Sequence, residues 1–149
     1  MLSIIPDTSC LILLTKIEAL QLLSLMYGKV LIPEIVIKEF KETLSIPHEI
    51  INCQNPILLK KLENQLDSGE AAVICAGLEQ KEVIVAIDDL KGRKMAASFG
   101  LSVTGTLGIL VKAKRNGLIP ILEPLVEKLI HVGIRISPEV LEVIRKDYP

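Results

Sequence analysis

Apolar stretches of two kinds alternate along this chain. The short, mainly apolar ones read as strands: Leu2–Pro6, Val30–Ile32, Ile50–Asn52, Val83–Ile87 and Leu101–Val103. Val83–Ile87 is the clearest, apolar at every position, as in a parallel strand covered on both faces. Between them, apolar residues recur at helical spacing. The first such segment starts after Thr8 or Ser9, either of which can cap a helix, and runs through Ala19, Leu22, Leu23 and Met26 to Gly28. Pro33 suits the first turn of a second, reaching about Leu44. Asn55–Pro56 opens a helix to Leu66, and Asp67–Ser68–Gly69 opens another through Glu79. Leu90–Phe99 ends at Gly100, Thr106–Asn116 is stopped by Gly117, and Pro120–Ile130 and Pro138–Arg145 complete the helices. Strands alternating with helices predict a three-layer α/β/α sandwich around a mostly parallel sheet. With 149 residues, one domain covering positions 1–149 is expected.

Composition changes this picture in three ways. Hydrophobic residues are 50% of the chain and mean hydropathy is +0.47, yet no apolar run reaches membrane-span length. Pro6–Asp7 interrupts the apolar N-terminus and no basic n-region precedes it, so neither a signal peptide nor a membrane anchor is expected. The apolar surplus instead predicts a cytoplasmic protein that pairs with a second copy of itself as a homodimer. The three cysteines, Cys10, Cys53 and Cys75, are odd in number and widely spaced, which predicts small core residues rather than a disulfide framework or a zinc knuckle. His48 and His131 are isolated and support neither a zinc site nor a catalytic imidazole. A net charge of −1 excludes a generally basic surface, so contact with nucleic acid would have to come from a local patch.

The charges that break the apolar pattern are acidic. Asp7 ends the first strand, and Asp88, with Asp89 beside it, ends the Val83–Ile87 strand. In an open parallel sheet, ligands bind at the carboxyl ends of the strands. Carboxylates gathered there repel one another unless protonated or neutralised by a cation, and a hard divalent ion such as Mg²⁺ or Mn²⁺ takes such oxygen ligands. Glu39 falls about 40° from Ile35 on a helical wheel, on the apolar side, whereas Lys38, Lys41 and Glu42 fall opposite. Glu70 sits at the centre of a face made by Val73, Ile74 and Leu78. Each acid also has an ordinary explanation. Asp7 and one of the Asp88–Asp89 pair can be helix caps, and Asp67-x-x-Glu70 reads as a capping box. Lys91, Arg93 and Lys94 beside Asp88 could hold a phosphate backbone, though a solvated helix start suits Lys91 and Lys94 better. Lys112, Lys114 and Arg115 read as surface rather than site.

Taken in order, these residues resemble a PIN domain over nearly the whole chain. Ile4-Ile5-Pro6-Asp7-Thr8-Ser9 is similar to the family's opening strand and its Asp-Thr-Asn/Ser. Pro33-x-x-Val36-x-x-Glu39-Phe40 resembles the second acidic motif, and Gly69-Glu70-Ala71-Ala72 the third, where many members have Asp. Val85-Ala86-Ile87-Asp88-Asp89 resembles the fourth, with Asp88 aligning best. Asp88-Asp89-x-x-Gly92-Arg93-x-x-Ala96, followed by Val103-Thr104-Gly105-Thr106-Leu107-Gly108, looks like a little-characterised PIN-like subgroup. Ala86 departs from the pattern, since many members carry a hydroxyl there; Ser9 or Thr106 could replace it. The resemblance implies a Mg²⁺- or Mn²⁺-dependent ribonuclease, in many prokaryotes the toxin of a toxin–antitoxin pair, acting on single-stranded RNA. It implies catalytic roles for Asp7, Glu39, Glu70 and Asp88. The metal ligands would come from Asp7, Asp88, Glu70 and Asp89, and RNA contacts from Arg93, Lys91, Ser9 and Thr106. The competing class is a PIN-fold binding module that has lost robust catalysis. A haloacid-dehalogenase-type phosphatase would need an acid where Ser9 stands, and no P-loop is present.

Overall fold

A computed structural model describes residues 1–149. Its strands are β1 (Ser3–Pro6), β2 (Leu31–Pro33), β3 (Glu49–Ile51), β4 (Val83–Ala86) and β5 (Ser102–Thr104), all paired in parallel. β1, β4 and β5 form one ladder with β4 in the middle, and β2 pairs with β3. A parallel bridge between Ile4 and Val30 joins the two, reinforced by the Ile4 amide donating to the Lys29 carbonyl. The spatial order is therefore β3-β2-β1-β4-β5. Strand order reverses between β1 and β4, which makes the crevice outside the ends of those two strands the topological switch point.

The helices are α1 (Thr8–Lys16), α2 (Leu22–Met26), α3 (Glu34–Phe40), α4 (Pro56–Glu63), α5 (Ser68–Glu79), α6 (Leu90–Ser98), α7 (Thr106–Arg115), α8 (Glu123–His131) and α9 (Pro138–Asp147). α5 packs across β1, β2 and β4, while α7 packs against α1 and α2. This is the α/β/α sandwich that the alternating pattern predicts. The buried residues form one contiguous cluster, including Ile4, Ile5, Leu14, Ile32, Ile74, Ile87, Ile109 and Leu110. α5 is the innermost helix: every residue from Gly69 to Gly77 is buried, which its small and aliphatic sequence permits. No helix is long and apolar enough to cross a membrane.

Three sequence expectations are corrected. The single helix expected from Thr8 to Gly28 is two, because Glu18 takes left-handed backbone (φ 58°) after α1. The Ala19 amide then donates to Leu14 and the Glu18 amide to Thr15, the paired bonds of a Schellman stop. Lys41 (φ 61°) likewise ends α3 at Phe40, short of Leu44. Finally, Cys10 is a free buried thiol as expected, but Cys53 and Cys75 are bonded to each other, their Cα atoms 5.7 Å apart. That separation lies within the roughly 4.4–6.8 Å that a disulfide spans. The bond fastens the β3–α4 connection to α5, a contact that a sequence separation of 22 does not reveal.

Candidate functional site

The acids gather where the topology says a ligand should bind. Asp7 follows the last residue of β1 and donates its amide to the Ala86 carbonyl of β4. Its side chain caps α1, with Oδ1 accepting from the Cys10 amide at 2.8 Å, so the cap is Asp7 and not Thr8 or Ser9. It is only 3% exposed. Glu70 stands in the first turn of the buried helix α5. The N-cap of that helix is Asp67, whose Oδ1 accepts the Glu70 amide at 2.8 Å. Gly92 makes room for the Glu70 carboxylate, since a Cβ there would lie 2.9 Å from Oε2. Glu39 is exposed as a residue, yet its Oε1 accepts from the Thr8 hydroxyl at 2.7 Å. Asp7, Thr8, Ser9, Glu39, Asp67 and Glu70 together line a cleft of about 110 Å³ with no apolar residue in its wall.

Asp88 adjoins this cleft and faces the other way. Its Oδ1 accepts from the Thr106 amide and its Oδ2 from the Thr106 hydroxyl, both at 2.7 Å. It thereby caps α7 from a neighbouring loop, which the helix's own N-cap, Gly105, cannot do. Asp89 is the exposed N-cap of α6 and accepts from the Gly92 amide at 3.1 Å. Thr106, expected among the RNA contacts, is buried and committed to Asp88. Lys91 is exposed at the start of α6, whereas Arg93 is half-buried and donates to the Ile87 carbonyl at 3.2 Å.

The cleft disfavours charge on its acids, first by burial and then by like charge. Burial pushes the Asp7 carboxyl up from 3.8 to about 7. The Cys10 amide opposes that rise, and the charges of Asp88, Glu70 and Asp67 add to it. Burial also raises Glu70 to about 7, with Asp67 next in effect and Asp89 behind it. No salt bridge of the molecule reaches any of these carboxylates. The donors are all oxygen, which fits a hard divalent cation better than a soft one. The one trio of acidic or sulfur donors that approach within 4.8 Å of each other is Cys53, Cys75 and Glu79, away from the cleft. The acids of the cleft stand farther apart than that, and a cation such as Mg²⁺, which usually keeps several waters, does not need them closer.

Two residues of the cleft lie outside the sequence-derived site. Capping alone accounts for Asp67 in the sequence, although a cap three residues before Glu70 necessarily sits beside it. Thr8 carries a hydroxyl that reaches an acid of the cleft, Glu39, whereas Ser9 or Thr106 is the substitute expected for the one missing at Ala86.

An all-parallel α/β sheet with a crevice at its switch point defines the class of open α/β folds that bind ligands there. Within that class the PIN domain family matches residues 3–148, and the chain belongs to it. No curated protein is matched by the chain.

Proposed function

We propose that this protein is a divalent-metal-dependent endoribonuclease cutting single-stranded RNA, with Mg²⁺ or Mn²⁺ held at the cleft. The observation that carries the reading is the pair Asp7 and Glu70: two acids raised to about 7, beside further acids and with no cationic partner. A fold gains nothing from such an arrangement by itself, since unpaired buried charge costs stability. In this reading Asp7 is the nearest ligand, Asp88 has to turn from Thr106 to join it, and Glu39, steadied by Thr8, and Glu70 position water. A bound cation supplies neutralising charge at the phosphate and an acidified water. Glu70, at the edge of the cleft, would be the residue to accept a proton from the attacking water. The water oxygen bonds to phosphorus as the bond to the departing ribose oxygen breaks, and a solvent proton completes the new hydroxyl.

The toxin half of a toxin–antitoxin pair, acting in the cytoplasm as a homodimer and silenced by a small antitoxin protein, is the cellular role proposed with this activity. A short gene overlapping this one would support it, and an isolated gene would count against it.

A second reading has its own observation. Asp7, Asp67 and Asp89 are helix caps and Asp88 holds Thr106, so each could serve the fold without catalysis. One experiment separates the two. Cleavage of a labelled single-stranded RNA should appear with Mn²⁺, vanish with chelator, and be lost in Asp7→Asn while Asp89→Asn keeps most of it. A protein that binds Mn²⁺ no better than its Asp7→Asn variant, and cuts nothing, would be the binding module instead.

A further inference from the structure

Beside the acidic cleft lies a second one of different character. It measures about 550 Å³, and Asp88 stands at the end nearer the acids. From there it runs along α7, past Gly105 and Gly108, to Lys112 and Arg115. Thr106 to Arg115 is nine helical steps, about 13 Å at the usual rise. Gly105 keeps the junction open, because a Cβ there would lie 2.5 Å from Arg93 Nη1 and 2.8 Å from Asp88 Oδ1. One wall, formed by Val103, Leu107 and Val111, is apolar.

The charges of this cleft are three cations, Arg93, Lys112 and Arg115, against the single carboxylate of Asp88. Lysine and arginine in the last turn of a helix are ordinary, since they complement its dipole. Two features set Lys112 and Arg115 apart from that explanation. Lys114, in the same turn, donates to the Pro120 carbonyl at 2.6 Å and does not line the cleft. Lys112, by contrast, lies 5.3 Å from the centre of the Tyr27 ring. Arg115 lies 5.7 Å from that of Tyr148, whose hydroxyl accepts its Nη2 at 2.6 Å. Aromatic rings thus hold both cations in place, so less side-chain freedom is given up when an anion binds.

We propose that this cleft carries the phosphate backbone of the RNA strand on one side of the scissile bond, with Arg93, Lys112 and Arg115 as its phosphate contacts. The proposal rests on the ribonuclease reading for its substrate and adds to Arg93 two residues that reading does not use, Lys112 and Arg115. No aromatic ring lines the cleft to stack a base. Binding here is therefore through phosphate and largely independent of sequence, with ribose or base faces against the apolar wall.

The test is equilibrium binding of a short labelled single-stranded RNA to the full chain in Ca²⁺, in an Asp7→Asn background so that the strand is not cut, over a range of salt. The double variant Lys112→Gln/Arg115→Gln should bind roughly tenfold more weakly. Its log–log salt slope should fall by about 1.4, at about 0.7 for each phosphate no longer neutralised. Lys114→Gln should bind like the parent, and Lys112→Arg should retain affinity; thermal melts check that each variant is folded. An unchanged affinity and slope in the folded double variant would overturn the proposal, as would duplex RNA binding more tightly than single-stranded RNA through the same residues. The two readings fail separately. If the native chain cuts RNA with Mn²⁺ while the double variant binds and cuts equally well, only the cleft is wrong. If nothing is cut but binding depends on Lys112 and Arg115, only the nuclease is wrong.

Discussion

Asp7 answers to three parts of the structure at once. Its amide ties β1 to β4, its carboxylate caps α1, and its charge faces those of Asp88, Glu70 and Asp67. The third role opposes folding. With a pKa of 3.8 in the unfolded chain and about 7 in the folded one, the folded state keeps a proton that the unfolded state has already released between those values. Stability therefore falls as pH rises through that window and is lowest above it, by on the order of 4 kcal/mol at most for this one group. Glu70 acts in the same direction. Asp7→Asn keeps a capping oxygen and removes the charge, so it should melt above the parent at about pH 8 and close to it at about pH 4. An equal difference at both pH values, followed by thermal denaturation, would mean that the charge is not what burial opposes. That Asp7, Glu39 and Glu70 share a cleft is legible in the sequence because each interrupts an apolar pattern; Asp88 does too, but the structure turns it to Thr106 instead. Asp67 is not legible, because capping alone explains it, and Lys112 and Arg115 show in sequence only as a basic helix end.

At the scale of elements, the strands are legible to within about a residue, since a short apolar stretch between helical patterns marks where each parallel strand lies. The helix ends are less so. Glu18 and Lys41 hold left-handed backbone where glycine is usual, so nothing in the sequence marks the end of α1 or α3. In α3 Ile35 takes a surface position, 39% exposed, and Glu39 lines the cleft rather than entering the core. Glu18→Gly removes the left-handed strain and should stabilise the protein by about 1 kcal/mol, as a higher denaturant midpoint with an unchanged slope. A lower midpoint would show that the Glu18 side chain contributes more than its backbone costs.

For the molecule as a whole, the 50% apolar content is only partly absorbed by the core. Leu25, Ile57, Leu90, Ile121 and Val143 are each more than half exposed. Residues of this kind, if covered at all, are covered by another chain, and permanent dimer interfaces resemble a domain core cut in half. Light scattering at micromolar concentration should return twice the mass of the 16.4 kDa chain; the monomer mass would rule the homodimer out. The Cys53–Cys75 bond belongs to this scale too. Which cysteines meet is decided by how a loop packs on a distant helix, and no local spacing encodes that.

The burial of α5 bears on how the site breathes. Amide hydrogens exchange with solvent through openings whose free energy ranges from almost nothing at frayed ends to the full unfolding free energy in the core. An enclosed helix such as α5 belongs at the upper end, and Glu70 rides on its first turn. Deuterium uptake should be slowest across Ala71–Ala76 and far faster in α9, where Ile144 is the one buried residue. Fast exchange in α5 would contradict this ordering. With that protection, the backbone that carries Glu70 shifts only when the core opens, so the acid is presented at the cleft before any ligand arrives.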